Sequence, residues 1–438
     1  MPSEDRPERA APPRALAIGL LVIVLLGAGV FALVGGDPDP AVTTSTTRTS
    51  SDSGPGPSTT VTAVPPEIPT TIPPEAVIVE PGQEIQDLVD SSPEGTTFYL
   101  RAGVHVATGN VHIAPKTGST FLGEPGATLD GQGIAEYAFL DAAPADDVTI
   151  RGLIIENYAT PVQRGAIDAA GAGWRVIDSE IRLNAAAGIN LRGPRTEIRG
   201  NRIYENAQIG LKLQDADGSS VIANEIFRNN PDEAFDPAWE AGGTKFLRTT
   251  GLVVAKNEVH DNVGPGLWTD HDNFEVTYRG NIVRDNTGPG IFHEISGSAV
   301  IEGNTVIGNA HGFYLGGILV ANSSEVTVFD NILMDNDGGI VALQDDREGF
   351  PLTRVTVEGN RVRYTEGVTG MILNGGPDVT SMSFRGNQYV TSASRPFHWG
   401  RRALSPSDWT GLGQDPDSVF CDLRRDECPD FSAPVSSH

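Results

Sequence analysis

Two stretches of this sequence, 266–273 and 290–294, concentrate ionisable and aromatic side chains. The first reads Gly-Leu-Trp-Thr-Asp-His-Asp-Asn and the second reads Gly-Ile-Phe-His-Glu. A lyase or epimerase that acts on a uronic acid must neutralise the sugar carboxylate and remove a proton from the adjacent carbon. Lys212, Lys245 or His271 could supply that base or that positive charge.

The carboxylates of these stretches suit two chemistries. Asp270 and Asp272 could together bind a Ca²⁺ ion that bridges to substrate. A glycoside hydrolase instead needs two carboxylates, about 5–5.5 Å apart to retain configuration or about 6.5–9.5 Å apart to invert it. Asp270 and Glu294 come near that range if the two stretches stack. His271 could equally be a solvated turn residue, and His293 is expected to point inward as a core histidine.

A repeat must position these residues. Seven times a small or amide residue is followed five positions later by Asn, in the pairs Ser179/Asn184, Asn201/Asn206, Asn224/Asn229, Asn257/Asn262, Asn281/Asn286, Asn304/Asn309 and Asn331/Asn336. Such self-similarity is typical of a solenoid. Segments such as Thr196–Arg199 and Gly210–Leu213 alternate with period two, which indicates strands. We therefore predict an all-β, right-handed parallel β-helix of roughly twelve coils over residues 77–395, with Asn ladders along its turns.

Strand alternation predicts which side chains face outward. In Gly-Ile-x-Leu strands these are the residues two and four after Gly. The resulting stripe contains Asn190, Arg192, Lys212, Gln214, Lys245, Trp268, Asp270, Phe292, Glu294 and Tyr314. Aromatic faces between charged groups are typical of a glycan groove, although external packing of the sheet would also account for them. We predict Lys245, Asp270, His271 and Glu294 as catalytic, and Lys212, Trp239, Trp268, Asp272, Phe292 and Tyr314 as substrate-binding.

An insertion at 230–242 interrupts the repeat and carries Phe235, Trp239 and Glu240. Insertions in repeat proteins form loops on one face, often the binding face. We expect this one to form a wall beside the stripe with Trp239 or Phe235 facing substrate, although a tolerated surface loop is the alternative. On this interpretation, deleting residues 231–241 leaves thermal stability nearly unchanged and abolishes glycan binding.

The N-terminal segments indicate export. Residues 15–35 form an apolar run long enough to span a bilayer, three arginines lie in the preceding residues 1–14, and Asp37 follows. The positive-inside rule places residues 1–14 in the cytoplasm and the rest outside. We predict a single-pass signal-anchor in the cell membrane with an extracellular β-helix, the alternative being a cleaved signal and a secreted protein.

The remaining segments complete the predicted organisation. Residues 36–76 are rich in Pro, Thr and Ser and predict a disordered linker. Residues 396–438 lack the repeat and predict a C-terminal cap and tail, in which Cys421 and Cys428 would form a disulfide. The net charge of −26 argues against nucleic acid as a partner, because phosphates require a basic surface.

The Asn-phased coils resemble the right-handed β-helix repeat family, the pectate lyase-like superfamily that also includes polygalacturonases and mannuronan C5-epimerases. Trp268-Thr269-Asp270-His271 is similar to the Trp-x-Asp-His signature of pectate lyases. Asp270-His271-Asp272 is similar to the epimerases' Asp-Pro-His-Asp without its Pro. The lyases' Arg-x-Pro-x-x-Arg and the polygalacturonases' Asn-Thr-Asp are absent from this sequence.

Together with the outward stripe, this resemblance predicts a protein that binds or acts on an extracellular polysaccharide or cell-wall glycan, most simply as a lyase or else as an epimerase. Two alternatives stay open. One is a glycoside hydrolase that uses Asp270 and Glu294. The other is a non-catalytic scaffold that binds cell-wall glycan.

Overall fold

The computed structural model describes residues 72–141, 143–312, 314–347, 349–376, 379, 381–429 and 431. The predicted membrane span at 15–35 and most of the predicted linker lie outside these residues. These described residues include two helices, α1 (Ile85–Ser91) and α2 (Pro406–Gly411). Within the described part of the chain, neither helix has the length and apolar character that crossing a membrane requires.

Three parallel sheets form the body of the described chain, with 13, 13 and 12 strands. Sheet A contains β1 (Val77–Val79), β2 (Thr97–Leu100), β4 (Thr120–Gly123), β7 (Thr149–Arg151), β10 (Arg175–Ile177), β13 (Glu197–Arg199), β16 (Ser220–Ile222), β19 (Val253–Ala255), β22 (Val276–Arg279), β25 (Ala299–Glu302), β28 (Ser324–Phe329), β31 (Thr353–Glu358) and β34 (Met382–Arg385).

Sheet B contains β3 (Gly103–Val106), β5 (Ala127–Asp130), β8 (Ile154–Glu156), β11 (Glu180–Arg182), β14 (Arg202–Tyr204), β17 (Glu225–Phe227), β20 (Glu258–His260), β23 (Ile282–Arg284), β26 (Thr305–Ile307), β29 (Ile332–Met334), β32 (Arg361–Tyr364), β35 (Gln388–Thr391) and β38 (Val419–Asp422).

Sheet C contains β6 (Phe139–Leu140), β9 (Gly165–Ala169), β12 (Ala187–Leu191), β15 (Ile209–Gln214), β18 (Gly242–Leu247), β21 (Leu267–Asp270), β24 (Ile291–Glu294), β27 (Ile318–Ala321), β30 (Ile340–Gln344), β33 (Thr369–Leu373), β36 (Phe397–Gly400) and β37 (Arg402–Leu404), the last of which is antiparallel.

Each coil visits sheets A, B and C in turn and then stacks on the next coil. Ile198 on β13 pairs with Val221 on β16, and Ile203 on β14 pairs with Ile226 on β17. These side chains are fully buried, since alternation turns every second residue toward one continuous core. The predicted fold class, an all-β right-handed parallel β-solenoid, is confirmed.

Two asparagine ladders hold the turns that flank sheet B. Asn201 Nδ2 donates to Asn224 Oδ1 at 3.0 Å, and Asn206 Nδ2 donates to Asn229 Oδ1 at 3.0 Å. Each of these residues follows one in the left-handed region, as Gly200 (φ 68°) precedes Asn201. The left-handed residue turns the chain sharply between two strands. The buried Asn side chains then form hydrogen bonds with the backbone groups that the turn leaves unpaired. The predicted ladders are therefore confirmed.

Both ends of the solenoid are covered. At the first coil, α1 buries Ile85 and Val89 against the core. At the last coil, β36 and β38 extend two of the sheets beyond residue 395, and Cys421 and Cys428 form a disulfide with a Cα–Cα distance of 5.7 Å. Closed ends matter because an open solenoid would expose strand edges and apolar side chains.

Candidate functional site

The outer face of sheet C carries the side chains that the sequence singles out. Lys212 and Lys245 are register partners on β15 and β18, and Trp268 pairs with Phe292 on β21 and β24. Neighbours such as Phe246 point into the core instead. Alternation along these strands therefore gives the outward direction that the sequence predicts.

Loops cover this face, so it is not the open platform expected from the sequence. Lys245, Trp268 and Phe292 are each only 1% exposed. The two rings stack with centroids 5.5 Å apart and belong to a second apolar cluster that also contains Leu319 and Val341. Because this cluster lies outside the main core, sheet packing accounts for Trp268 and Phe292 without a sugar ring on their faces.

Ion pairs hold the insertion between β17 and β18 against sheet C. Its Glu240 carboxylate lies 3.1 Å from Lys212 Nζ and 3.7 Å from Lys245 Nζ. Lys245 Nζ also donates to the carbonyl of Trp239 and lies 3.7 Å from the centre of the Trp268 ring. One carboxylate thus bridges two buried ammonium groups, and such charges are tolerated only when they are paired.

Replacing Glu240 by glutamine should loosen the insertion. Each buried lysine would lose one ionic partner while Lys212 keeps Gln163 and Lys245 keeps Asp270. We therefore expect a loss of about 2–4 kcal/mol in stability, since breaking a buried ion pair strands the remaining charge. The measurements are melting temperature and the rate of proteolytic cleavage within residues 230–241.

Asp232→Asn is the matched control, because Asp232 lies in the same insertion and is exposed. Equal melting and equal cleavage for the two variants would contradict the role assigned to Glu240. The same contacts revise the deletion experiment expected from the sequence. Removing residues 231–241 would take Glu240 away from both lysines, so stability should fall.

Asp270 and Glu294 form a carboxyl pair at the edge of this covered face. They are register partners on adjacent coils, and their side chains are 19% and 10% exposed. Lys245 Nζ lies 2.9 Å from Asp270 Oδ2, and Arg347 Nη2 lies 3.3 Å from Glu294 Oε1. Burial, reinforced by the negative charge of Asp270, raises the pKa of Glu294 to about 7. One carboxyl group can therefore hold a proton near neutral pH beside a carboxylate that faces an ammonium group.

His271 and Asp272 lie at the surface beside this pair. Both adopt left-handed backbone conformations, and His271 Nε2 lies 3.3 Å from Asp272 Oδ2. Trp239, which precedes Glu240 in the insertion, has an aromatic ring that is 56% exposed. The described residues contain no group of three or more His, Cys, Asp or Glu side chains arranged to hold a metal ion. The calcium site at Asp270 and Asp272 stays a prediction.

His293 lies in the core, as its place in the strand predicts. Its Nε2 donates to the carbonyl of Gly297 at 2.9 Å, so its Nδ1 accepts from the Thr269 hydroxyl at 2.7 Å. Tyr278 donates in turn to Thr269. Burial lowers the pKa of His293 to about 4, which keeps the ring neutral. This polar chain inside the solenoid is structural.

Two features of the site differ from the sequence-based prediction. Tyr314 does not lie on a strand, because the strand of its coil begins at Ile318, and its ring reaches Phe292 from the covering loop at 5.3 Å. Arg347 was missed because it belongs to a loop outside the repeat. The sequence does indicate an extra loop here, because the ladder residues Asn331 and Asn360 are 29 residues apart, a longer separation than in most coils.

Comparisons with known proteins identify the repeat. Residues 165–317 match the family model described as right handed beta helix region. This segment is a right-handed β-helix region. The resemblance predicted from the Asn-phased coils is therefore confirmed. No curated protein matches the chain by sequence.

Solved structures share the architecture of this β-helix at low sequence identity. The Azotobacter vinelandii mannuronan C-5 epimerase AlgE6 A-module has a TM-score of 0.58 and 15% identity, covering 77% of this chain and 92% of its own. The AlgE4 A-module of the same organism gives 0.54 and 15%, covering 77% and 93%. The catalytic unit of the GH87 α-1,3-glucanase from Streptomyces thermodiastaticus strain HF3-3 gives 0.56 and 14%, covering 81% and 69%. These likenesses show the fold.

Proposed function

We propose that this β-helix protein binds a polysaccharide and hydrolyses it with Asp270 and Glu294. The observation that carries the proposal is that these two carboxyl groups are register partners in different environments. Asp270 forms an ion pair with Lys245, whereas burial raises the pKa of Glu294. Pairs whose surroundings separate their protonation states divide the work of acid and base. Proteins of similar fold include a mannuronan epimerase and an α-1,3-glucanase, which supports a glycan substrate.

The reaction follows from the two groups. The backbones of the two strands that carry these residues lie about 4.8 Å apart. Of the two hydrolase schemes we therefore assign the one with the shorter carboxyl separation, the retaining scheme at about 5–5.5 Å. Asp270 attacks the anomeric carbon, the glycosidic bond breaks, and the departing oxygen takes the proton of Glu294. Water then attacks the glycosyl ester while Glu294 takes a proton from it, which releases the sugar and restores both groups.

The predicted lyase fits the geometry less well. Lys212 and Lys245, the candidate base and neutralising charge, are buried and paired with Glu240 and Asp270. Neither ammonium group is therefore available to a sugar carboxylate in this conformation. The export of the chain, with membrane anchoring through residues 15–35, forms part of the proposal on sequence grounds alone.

A panel of uncharged, amine-bearing and uronate-containing polysaccharides separates the alternatives. New reducing ends without ultraviolet absorbance of an unsaturated sugar would support hydrolysis. Unsaturated product would assign the site to a lyase. Binding without turnover on every member would favour the non-catalytic scaffold, an alternative that the loop cover over Glu294 and its pairing with Arg347 also favour.

A further inference from the structure

A surface groove runs along the corner between sheets B and C, away from the carboxyl pair. Its volume is about 1020 Å³, and the turns that follow β5, β8, β11, β14, β17 and β20 line it. Six consecutive strands at about 4.8 Å spacing make this groove roughly 24 Å long. A groove of this length suits an extended chain better than a small molecule.

The floor of the groove repeats with the coils. Its equivalent left-handed residues are Asn157, Leu183, Glu205, Arg228 and Asp261, with φ between 50° and 60°. In most of these turns a small side chain follows two positions later, as Ala185 follows Leu183 and Ala207 follows Glu205. A ligand that repeats along its length can therefore make similar contacts at each coil, which favours a linear polymer.

The groove carries more carboxylates than cations. Asp130, Glu205, Asp232 and Asp261 line it together with Arg228, whose Nη1 lies 3.7 Å from Glu205 Oε1. Carboxylate oxygens accept hydrogen bonds from hydroxyl groups. The excess negative charge also repels a polyanion.

Apolar contact is available on the same floor. Leu183 is 47% exposed within the groove, and the half-buried Val263 also lines it. A sugar chain presents hydroxyl groups along its edges and apolar patches on its ring faces. This combination of carboxylates and apolar side chains suits an uncharged chain of sugars.

The insertion separates this groove from the carboxyl pair. Pro231 and Asp232, near its start, line the groove. Glu240, near its end, holds the lysines beside Asp270. The exposed Trp239 ring precedes Glu240 in the same segment. The groove and the carboxyl pair thus lie on either side of one anchored loop.

We infer that this groove binds an extended, uncharged polysaccharide as a site separate from Asp270 and Glu294. The inference rests on the proposed function for its ligand class. The groove would hold long polysaccharide chains and would take no part in the cleavage of short oligosaccharides. Uronate polymers should bind this surface more weakly than uncharged polymers do.

The test uses the full chain with Glu294→Gln added, so that binding is measured without turnover. Leu183→Asn removes the apolar contact, and asparagine tolerates the left-handed conformation at this position. We expect binding of an uncharged polysaccharide, measured by affinity electrophoresis, to weaken about tenfold. Asp285→Asn is the matched control, because Asp285 has φ 54° in an equivalent turn and is not among the groove-lining residues.

A second variant, Ala185→Trp, fills the groove at an exposed position and should weaken binding to a similar or greater extent. Unchanged binding in both groove variants would overturn the inference, and so would tighter binding of uronate polymers than of uncharged ones. Turnover by the Glu294-containing protein keeps the two proposals distinct. If short oligosaccharides are cleaved and groove variants bind long chains normally, only the groove inference fails.

Discussion

Replacing Glu294 by glutamine should lower kcat on the cleaved polysaccharide about 10³-fold. Glutamine keeps the shape of the side chain but cannot give a proton to the departing oxygen, and acid–base assistance contributes about 10²–10⁴-fold. Initial rates of reducing-end formation would measure the effect. Glu302→Gln on β25 is the matched control, since it removes a carboxylate in the neighbouring sheet A and should leave kcat unchanged.

The pH profile gives a second measurement of the same role. Glu294 has a raised pKa of about 7, so the protonated acid is present below that pH and is lost above it. We expect kcat/KM, which reports the ionisations of the free enzyme, to fall about tenfold for each pH unit above this value. The Arg347 charge lowers the pKa of Glu294, so Arg347→Met should move the fall to higher pH. A full-rate Glu294→Gln enzyme, or a profile flat through pH 8, would contradict the assignment.

Replacing Asp415 by alanine should destabilise the C-terminal coils by about 4–6 kcal/mol. Asp415 is fully buried and ends the first asparagine ladder by accepting from Asn387 Nδ2 at 2.8 Å. It also accepts from the Tyr389 hydroxyl at 2.8 Å and from Trp409 Nε1 at 3.0 Å. Alanine would leave these buried donors without an acceptor, at about 1–3 kcal/mol each. Melting temperature and amide hydrogen exchange in strands β34, β35 and β38 would show the loss.

Asp335→Ala is the control that separates the loss of hydrogen bonds from the cost of placing alanine in the left-handed backbone conformation. Asp335 and Asp415 both adopt left-handed conformations, with φ of 54° and 48°, but Asp335 is exposed. Both alanine variants therefore carry the same conformational cost of about 1 kcal/mol. Equal destabilisation by the two substitutions would show that the hydrogen bonds accepted by Asp415 do not add measurably to stability.

The coils and the direction of most of their side chains can be predicted from residue types and their spacing. Asparagines recurring with the coils predict stacked turns, because a buried amide must find the same partner in each neighbouring coil. Alternation then placed Lys245, Asp270 and Glu294 outside and His293 inside. These are local properties, since a strand has period two whatever surrounds it.

The cover over those side chains could not be predicted, because it depends on how loops outside the repeat fold. Lys245 and Trp268 are buried because the insertion before β18 and the loop that carries Tyr314 fold over sheet C, and no repeat fixes the path of a loop. Glu240 reaches two lysines from the insertion, while Arg347 reaches Glu294 across 53 residues of sequence. The pKa of Glu294 is raised because the protein excludes water from its carboxyl group. Residue spacing alone does not determine where water is excluded.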